Sequence, residues 1–205
     1  MQDVKVVAFD CDGVLFDTEQ SNRAYYNTVL NHMGLPDLTA EQFAYVHMHT
    51  VDQSLSYLFK NQQSLVDAYD YRKTLDYSEF IKLMEMEPDL IWLLEKIRPR
   101  FRTAIATNRT DTVNGLLAEF GLRDLFDLVV SSSDVNQPKP HPDPLLKILR
   151  HFRVQPGEAI YVGDSNVDEI AAHSAGVPLV AFRNPALSSD FHIDRLKELD
   201  AILAC

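Results

Sequence analysis

The chain has 205 residues, 46% of them hydrophobic, which suits one large domain or one domain with a modest insertion. Its formal charge is 19 − 30 = −11, so an extended nucleic-acid-binding surface is not expected. No apolar run approaches the roughly 20 residues of a membrane span, and no signal-peptide pattern follows Met1. These features predict a cytoplasmic protein whose partners include neither nucleic acid nor a membrane.

Short apolar runs alternate with helical patterns along most of the chain. Five runs bounded by Asp, Asn, Gly, Ser or Pro predict β-strands at residues 5–9, 103–107, 128–131, 159–162 and 179–182. Helices are predicted over residues 111–120, 145–152 and 167–175, the second with Asp143 as N-cap and Pro144 as its first residue. Strands that are apolar on both faces and alternate with helices predict an α/β fold with a parallel sheet.

Residues 18–87 interrupt this alternation, because they contain no strand candidate. A helix is predicted over residues 18–33, and Thr39 and Gln42 have the spacing of a capping box that opens another. A crossover between parallel strands normally needs far fewer than these 70 residues. We therefore predict an α/β core formed by residues 1–16 and 88–205, with residues 17–87 inserted as an all-helical cap domain over the strand ends.

Polar side chains follow three of the predicted strands. They are Asp10 and Asp12 after the first, Thr107 and Asn108 after the second, and Asp164 and Asp168 after the fourth. The carboxyl ends of parallel strands meet at one edge, which is where such sheets bind ligands. Converging carboxylates repel each other unless a cation lies among them, and hard oxygen ligands suit Mg²⁺. The pattern therefore predicts a magnesium site at this edge.

Each of these motifs alone has a second interpretation. In "AFDCDGVLFD", alternation puts Asp10 and Asp12 on one side, so that one could attack a substrate while the other handles a proton; the motif also fits a strand-end turn. Lys139 lies in "QPKPHPDP", whose prolines make a stiff loop, either to preset an ammonium group or as a plain linker. Asp164 and Asp168 share a helix face, or simply supply acid to a first turn.

The order of "FDCDGVLFDT", "ATN", "KPHPD" and "GDSNVDEI" resembles the haloacid-dehalogenase-like (HAD) hydrolase superfamily, especially its phosphoglycolate-phosphatase-like and β-phosphoglucomutase-like members. These motifs extend from Phe9 to Ile170 and so cover most of the chain. The resemblance implies a Rossmann-like core with an inserted cap. It also implies a Mg²⁺-dependent phosphatase that hydrolyses a small phosphorylated metabolite through an aspartyl-phosphate intermediate.

The resemblance also implies a role for each motif residue. Asp10 would be the nucleophile, and Asp12 would be the general acid and base. The phosphoryl group would be bound by Thr107, Asn108 and Lys139. The metal ligands would be Asp10, the main-chain carbonyl of Asp12, and Asp164. Asp168 would support the water shell of the metal or orient Lys139.

Several alternatives stay open at this point. A phosphomutase of the β-phosphoglucomutase type would form the same phosphoenzyme, and a non-catalytic binding protein or a phospho-acceptor signalling module is a more remote hypothesis. His47 and His49 either recognise substrate or pack on the surface, and Arg109 either meets a second anionic group of the substrate or has no such role. Trp92 is expected in the core. The sequence determines neither the substrate nor the oligomeric state.

Overall fold

The computed structural model describes residues 3–204. Its strands are β1 (Val6–Phe9), β2 (Phe16–Asp17), β3 (Glu85–Met86), β4 (Arg102–Ala106), β5 (Leu128–Val130), β6 (Ala159–Gly163), β7 (Leu179–Phe182) and β8 (Phe191–Ile193). Its helices are α1 (Glu19–His32), α2 (Ala40–Met48), α3 (Val51–Leu58), α4 (Gln62–Arg72), α5 (Ser78–Ile81), α6 (Leu90–Ile97), α7 (Val113–Glu119), α8 (Asp143–Phe152), α9 (Asn166–Ala175) and α10 (Leu199–Leu203).

Six strands form one parallel sheet in the order β5-β4-β1-β6-β7-β8. The central strands are buried on both faces, as a parallel sheet covered by helices requires. The predicted Rossmann-like α/β fold is therefore confirmed, and each of the five predicted strands lies within two residues of its expected bounds. Strand β8 was not predicted, because His192 stands between its two apolar residues and interrupts any apolar run.

The chain divides into two compact units, one comprising Met1–Phe16 and Met86–Cys205 and the other Asp17–Glu85. The second unit contains α1 to α5 and packs around aromatic and aliphatic side chains such as Tyr25, Leu55 and Phe80. The predicted capping box at Thr39 and Gln42 is present. That this helical unit acts as a cap stays a prediction.

Three local expectations were wrong. The two-residue strand β3 lies within the range 18–87, where no strand was expected, and it pairs with β2. Helix α8 begins at Asp143, so that Pro142 and not Asp143 is its N-cap; the Asp143 carboxylate accepts the Gln137 main-chain N–H at 3.3 Å. Trp92 is 48% exposed, since α6 turns the opposite face to the core. Of the helices in residues 3–204, none is long and apolar enough to cross a membrane.

Candidate active site

Asp10 lies directly after β1, at the carboxyl edge of the sheet. Its Oδ1 accepts a hydrogen bond from the main-chain N–H of Cys11 and pairs with the ammonium group of Lys139, both at 2.7 Å. Burial, together with the negative charge of Asp168, raises the pKa of Asp10 to about 7, against the attraction of Lys139. The positive charge of Lys139 is thus too small to keep the pKa of this buried carboxyl group in its usual range.

Lys139 brings its ammonium group to the same edge from the loop before α8, and only 1% of the residue is exposed. Its Nζ lies 2.7 Å from Asp10 Oδ1, 2.7 Å from Asp168 Oδ1 and 2.9 Å from the hydroxyl of Tyr161. Burial alone would lower the pKa of Lys139, but the two carboxylates raise it above its usual range. An ammonium group has three N–H donors, so all three have partners within the protein.

Asp168 lies in the first turn of α9 and is completely buried. Besides Lys139 and Tyr161 on Oδ1, its Oδ2 accepts the Ser165 hydroxyl at 2.5 Å and the Ser165 main-chain N–H at 3.1 Å. Burial would raise the pKa of Asp168, but Lys139 and these hydrogen bonds hold it below its usual range. Gly163 leaves the room for this carboxylate, since a Cβ there would lie 2.4 Å from Asp168 Cβ.

Carboxylate oxygens of Asp10, Asp164 and Asp168 all lie within 4.8 Å of one another. Burial, followed by the charges of Asp168 and Asp10, raises the pKa of Asp164 well above its usual range. Gly13, at φ +78°, allows the chain to pass Asp164, because a Cβ at that position would lie 2.1 Å from Asp164 Oδ2. Three hard oxygen donors beside a single ammonium group form a cluster that suits a divalent cation.

Asp12 is bound by a different cation from Asp10. The guanidinium of Arg109, in the loop after β4, donates from Nε to Asp12 Oδ2 at 2.8 Å and from Nη2 to Asp12 Oδ1 at 2.6 Å. This is a bidentate, charge-assisted pair, which is stronger and more directional than a single contact. Each carboxylate oxygen of Asp12 thus accepts one hydrogen bond from Arg109 and keeps a further lone pair that can take a proton.

Thr107 and Asn108 connect the loops of this edge. The Thr107 hydroxyl accepts the main-chain N–H of Arg109 at 3.1 Å, and the Asn108 side-chain amide donates to the main-chain carbonyl of Lys139 at 3.0 Å. The second contact attaches the proline-rich loop to the end of β4. Binding of a phosphoryl group by Thr107, Asn108 and Lys139 stays a prediction.

The two histidines of the helical unit have partners within that unit. His47 Nδ1 lies 3.0 Å from the Asn22 side-chain amide, and His49 Nδ1 lies 2.8 Å from the Tyr45 carbonyl. The His49 ring also stacks on the Tyr45 ring at 3.9 Å. Both side chains thus have partners within the unit, and recognition of a substrate by them stays a prediction.

Two groups of this edge were not identified from the sequence in the roles that the structure shows. Tyr161 was interpreted only as part of a strand, yet its hydroxyl contacts both Lys139 and Asp168. Arg109 was considered only as a partner for a substrate anion, yet it pairs with Asp12. The signal for Tyr161 is a single large polar-tipped residue in an apolar strand, and the structure places it in register with Ala8 of β1 and Leu179 of β7.

Comparison with known proteins gives concordant matches over most of the chain. The family model described as "Haloacid dehalogenase-like hydrolase" matches residues 7–182. A protein of Caldanaerobacter subterraneus named as a pyrophosphatase, PpaX, is 30% identical over 88% of this chain and 82% of its own length. A phosphoglycolate phosphatase of Photorhabdus laumondii is 28% identical over 88% of this chain and 80% of its own.

A solved structure gives the same result in three dimensions. The crystal structure of a HAD-superfamily hydrolase of subfamily IA from Geobacter sulfurreducens is 36% identical to this chain, with a TM-score of 0.80. The match covers 98% of this chain and 96% of that one. The similarity therefore includes both compact units.

Proposed function

The chain belongs to the haloacid dehalogenase-like hydrolases, and from this premise we propose that it is a Mg²⁺-dependent phosphatase that hydrolyses a small phosphorylated metabolite through an aspartyl-phosphate. One observation carries the proposal: Asp10 is buried at the carboxyl edge of the sheet, paired with Lys139 and clustered with Asp164 and Asp168. That the curated relatives are named as a pyrophosphatase and a phosphoglycolate phosphatase supports a phosphate ester or anhydride as substrate.

The residues present fit a magnesium ion. Burial, followed by the negative charge of Asp168, raises the pKa values of both Asp10 and Asp164, and a cation would offset that negative charge. The ion would be held by Asp10, Asp164 and the main-chain carbonyl of Asp12, with Asp168 in support. When bound, it would neutralise negative charge on the phosphoryl oxygens and on the attacking carboxylate.

Asp10 is the proposed nucleophile. Its two described contacts use Oδ1, which leaves Oδ2 to form the bond to phosphorus while the bond from phosphorus to the leaving oxygen breaks. Protonated Asp12 gives its proton to that oxygen. Water then attacks phosphorus, passes a proton to Asp12 and displaces Asp10 Oδ2, so inorganic phosphate is released and both carboxyl groups return to their starting states.

Lys139 supports this chemistry mainly through Asp10. Its ammonium group donates its three N–H groups to Asp10, Asp168 and Tyr161. A phosphoryl oxygen would therefore have to replace one of these partners. Release of the Asp10 contact as the carboxylate becomes an ester would supply that donor at the right moment. Because the ammonium group already lies beside Asp10, only this one contact has to change during the reaction.

The test is hydrolysis of a panel of small phosphomonoesters and pyrophosphate, with Mg²⁺ and with a chelator, by the wild type and by Asp10→Asn. We expect metal-dependent release of phosphate by the wild type and a loss of at least about a thousandfold in the variant, because the nucleophile is gone. Far-UV circular dichroism and thermal unfolding would verify that the variant is folded.

Near-full activity of a folded Asp10→Asn variant would contradict the mechanism. Hydrolysis of none of these compounds by a folded wild-type chain would contradict the phosphatase assignment. In that case, phosphate transfer between two positions of a sugar phosphate would be the next activity to assay.

A further inference from the structure

Tyr161 carries a hydroxyl into the interior of the core, and 0% of the residue is exposed. This oxygen lies 2.9 Å from Lys139 Nζ, 2.7 Å from Asp168 Oδ1 and 3.1 Å from the main-chain carbonyl of Ala106. A tyrosine hydroxyl has one hydrogen to donate and can accept at its oxygen. It therefore accepts from Lys139 and donates to Asp168 or Ala106, so no polar atom of this group is left without a partner.

Small residues on the neighbouring strands make room for the phenol ring. Ala8 of β1 lies in register with Tyr161 of β6 on one side and with Ala104 of β4 on the other. The Tyr161 hydroxyl reaches Ala106 at the end of β4, so the ring crosses the intervening strand over these alanines. A larger side chain at position 8 would occupy the space of the ring. The small residues of the neighbouring strands therefore determine where the Tyr161 hydroxyl lies.

The hydroxyl completes the coordination of Lys139. Without it, one N–H of a buried ammonium group would have no acceptor, at a cost typical of an unsatisfied buried polar group. The ammonium group could then restore its hydrogen bonding only by moving relative to Asp10 and Asp168. Tyr161 and Asp168 therefore fix two N–H groups of Lys139, and the third N–H points at Asp10.

We propose that Tyr161 is a positioning residue that holds the ammonium group of Lys139 against the nucleophile Asp10. The role is indirect, since Tyr161 is not assigned any contact with the substrate. This inference rests on the proposed function, because that function makes Asp10 the nucleophile and Lys139 its partner.

The kinetic test is Tyr161→Phe, which keeps the ring and removes only the hydroxyl. We expect kcat for the best ester of the panel to fall about tenfold with KM changed less than about twofold, because misplacement of a charge beside the nucleophile affects the chemical step. The matched control is Tyr26→Phe, another buried tyrosine, which lies in the helical unit. It is expected to change neither constant.

Three kinetic results would overturn the inference. One is a kcat for Tyr161→Phe within about twofold of the wild type. Another is an increase in KM at unchanged kcat. The third is an equal loss of kcat in Tyr26→Phe, which would show a general effect of removing a buried hydroxyl.

A second measurement does not depend on activity. Urea unfolding of Tyr161→Phe, Lys139→Met and the double variant forms a double-mutant cycle. If the hydroxyl binds Lys139, the two losses of unfolding free energy will not add, whereas additive losses would overturn the contact. A wild-type chain that hydrolyses no ester would overturn the proposed function instead, so the two failures are distinguishable.

Discussion

The acidic edge of the core has two sides, and the pKa values of their buried carboxyl groups shift in opposite directions. On one side, Asp168 is fully buried, yet its pKa is held below the usual range. On the other side, burial raises the pKa values of Asp10 and Asp164. The difference lies in the donors. Asp168 accepts hydrogen bonds from Lys139, Tyr161 and Ser165, whereas the donors to Asp10 within residues 3–204 are Lys139 and one main-chain N–H.

This difference shows which part of the edge is complete without a ligand. The Asp168 side has its charge neutralised and its oxygens hydrogen-bonded by the protein itself, which is how buried carboxylates are normally stabilised. The side of Asp10 and Asp164 keeps unbalanced negative charge. One cluster thus contains a carboxylate that the protein itself neutralises, Asp168, and two carboxylates that a cation would neutralise, Asp10 and Asp164.

The largest effect that would test this comparison is on stability. Asp168→Asn leaves Lys139 with one charged partner instead of two, and we expect the free energy of unfolding to fall by about 3 kcal/mol. Asp164→Asn removes a repelling charge, so without metal we expect unchanged or increased stability. Urea unfolding in the presence of a chelator measures both. Equal destabilisation by the two variants would show that the two sides do not differ.

A smaller effect is expected from pH. Because the pKa of Asp10 in the folded protein is raised to about 7, the folded state binds more protons than the unfolded state between about pH 4 and pH 7. This contribution makes the metal-free protein less stable as pH rises through that range. Asp10→Asn should remove it, so its stability should fall less over this range. Parallel stability curves for wild type and variant, from urea unfolding in chelator, would contradict the raised pKa.

The smallest effect is expected at the pair of Asp12 and Arg109. Arg109→Lys keeps the charge but loses the bidentate geometry, and we expect a loss of about 1 kcal/mol in unfolding free energy. Arg102→Lys is the matched control, because Arg102 pairs with Asp127 at an exposed position and surface pairs contribute little. Thermal unfolding of both variants measures the difference. A loss in the control as large as that in Arg109→Lys would mean that the burial of the Asp12 pair is without consequence.

Most of the core could be predicted from the sequence because its signals are local. Runs such as residues 159–162 are apolar and flanked by turn formers, and parallel pairing follows from their alternation with helices. The carboxylates after the strands could therefore be assigned to one edge. Strands β2, β3 and β8 each contain a polar or charged residue among only two or three residues, so they form no apolar run that could be recognised.

By itself, the sequence determined that the chain is an α/β protein of the HAD-like hydrolases with carboxylates gathered at the carboxyl edge of a parallel sheet. Only the tertiary structure decided which charged and polar side chains of this edge contact each other. Arg109 reaches Asp12 across 97 positions of sequence, and Tyr161 reaches Lys139 across 22. Such pairings depend on strand order, register and the room left by alanines, and no local pattern of residues encodes these.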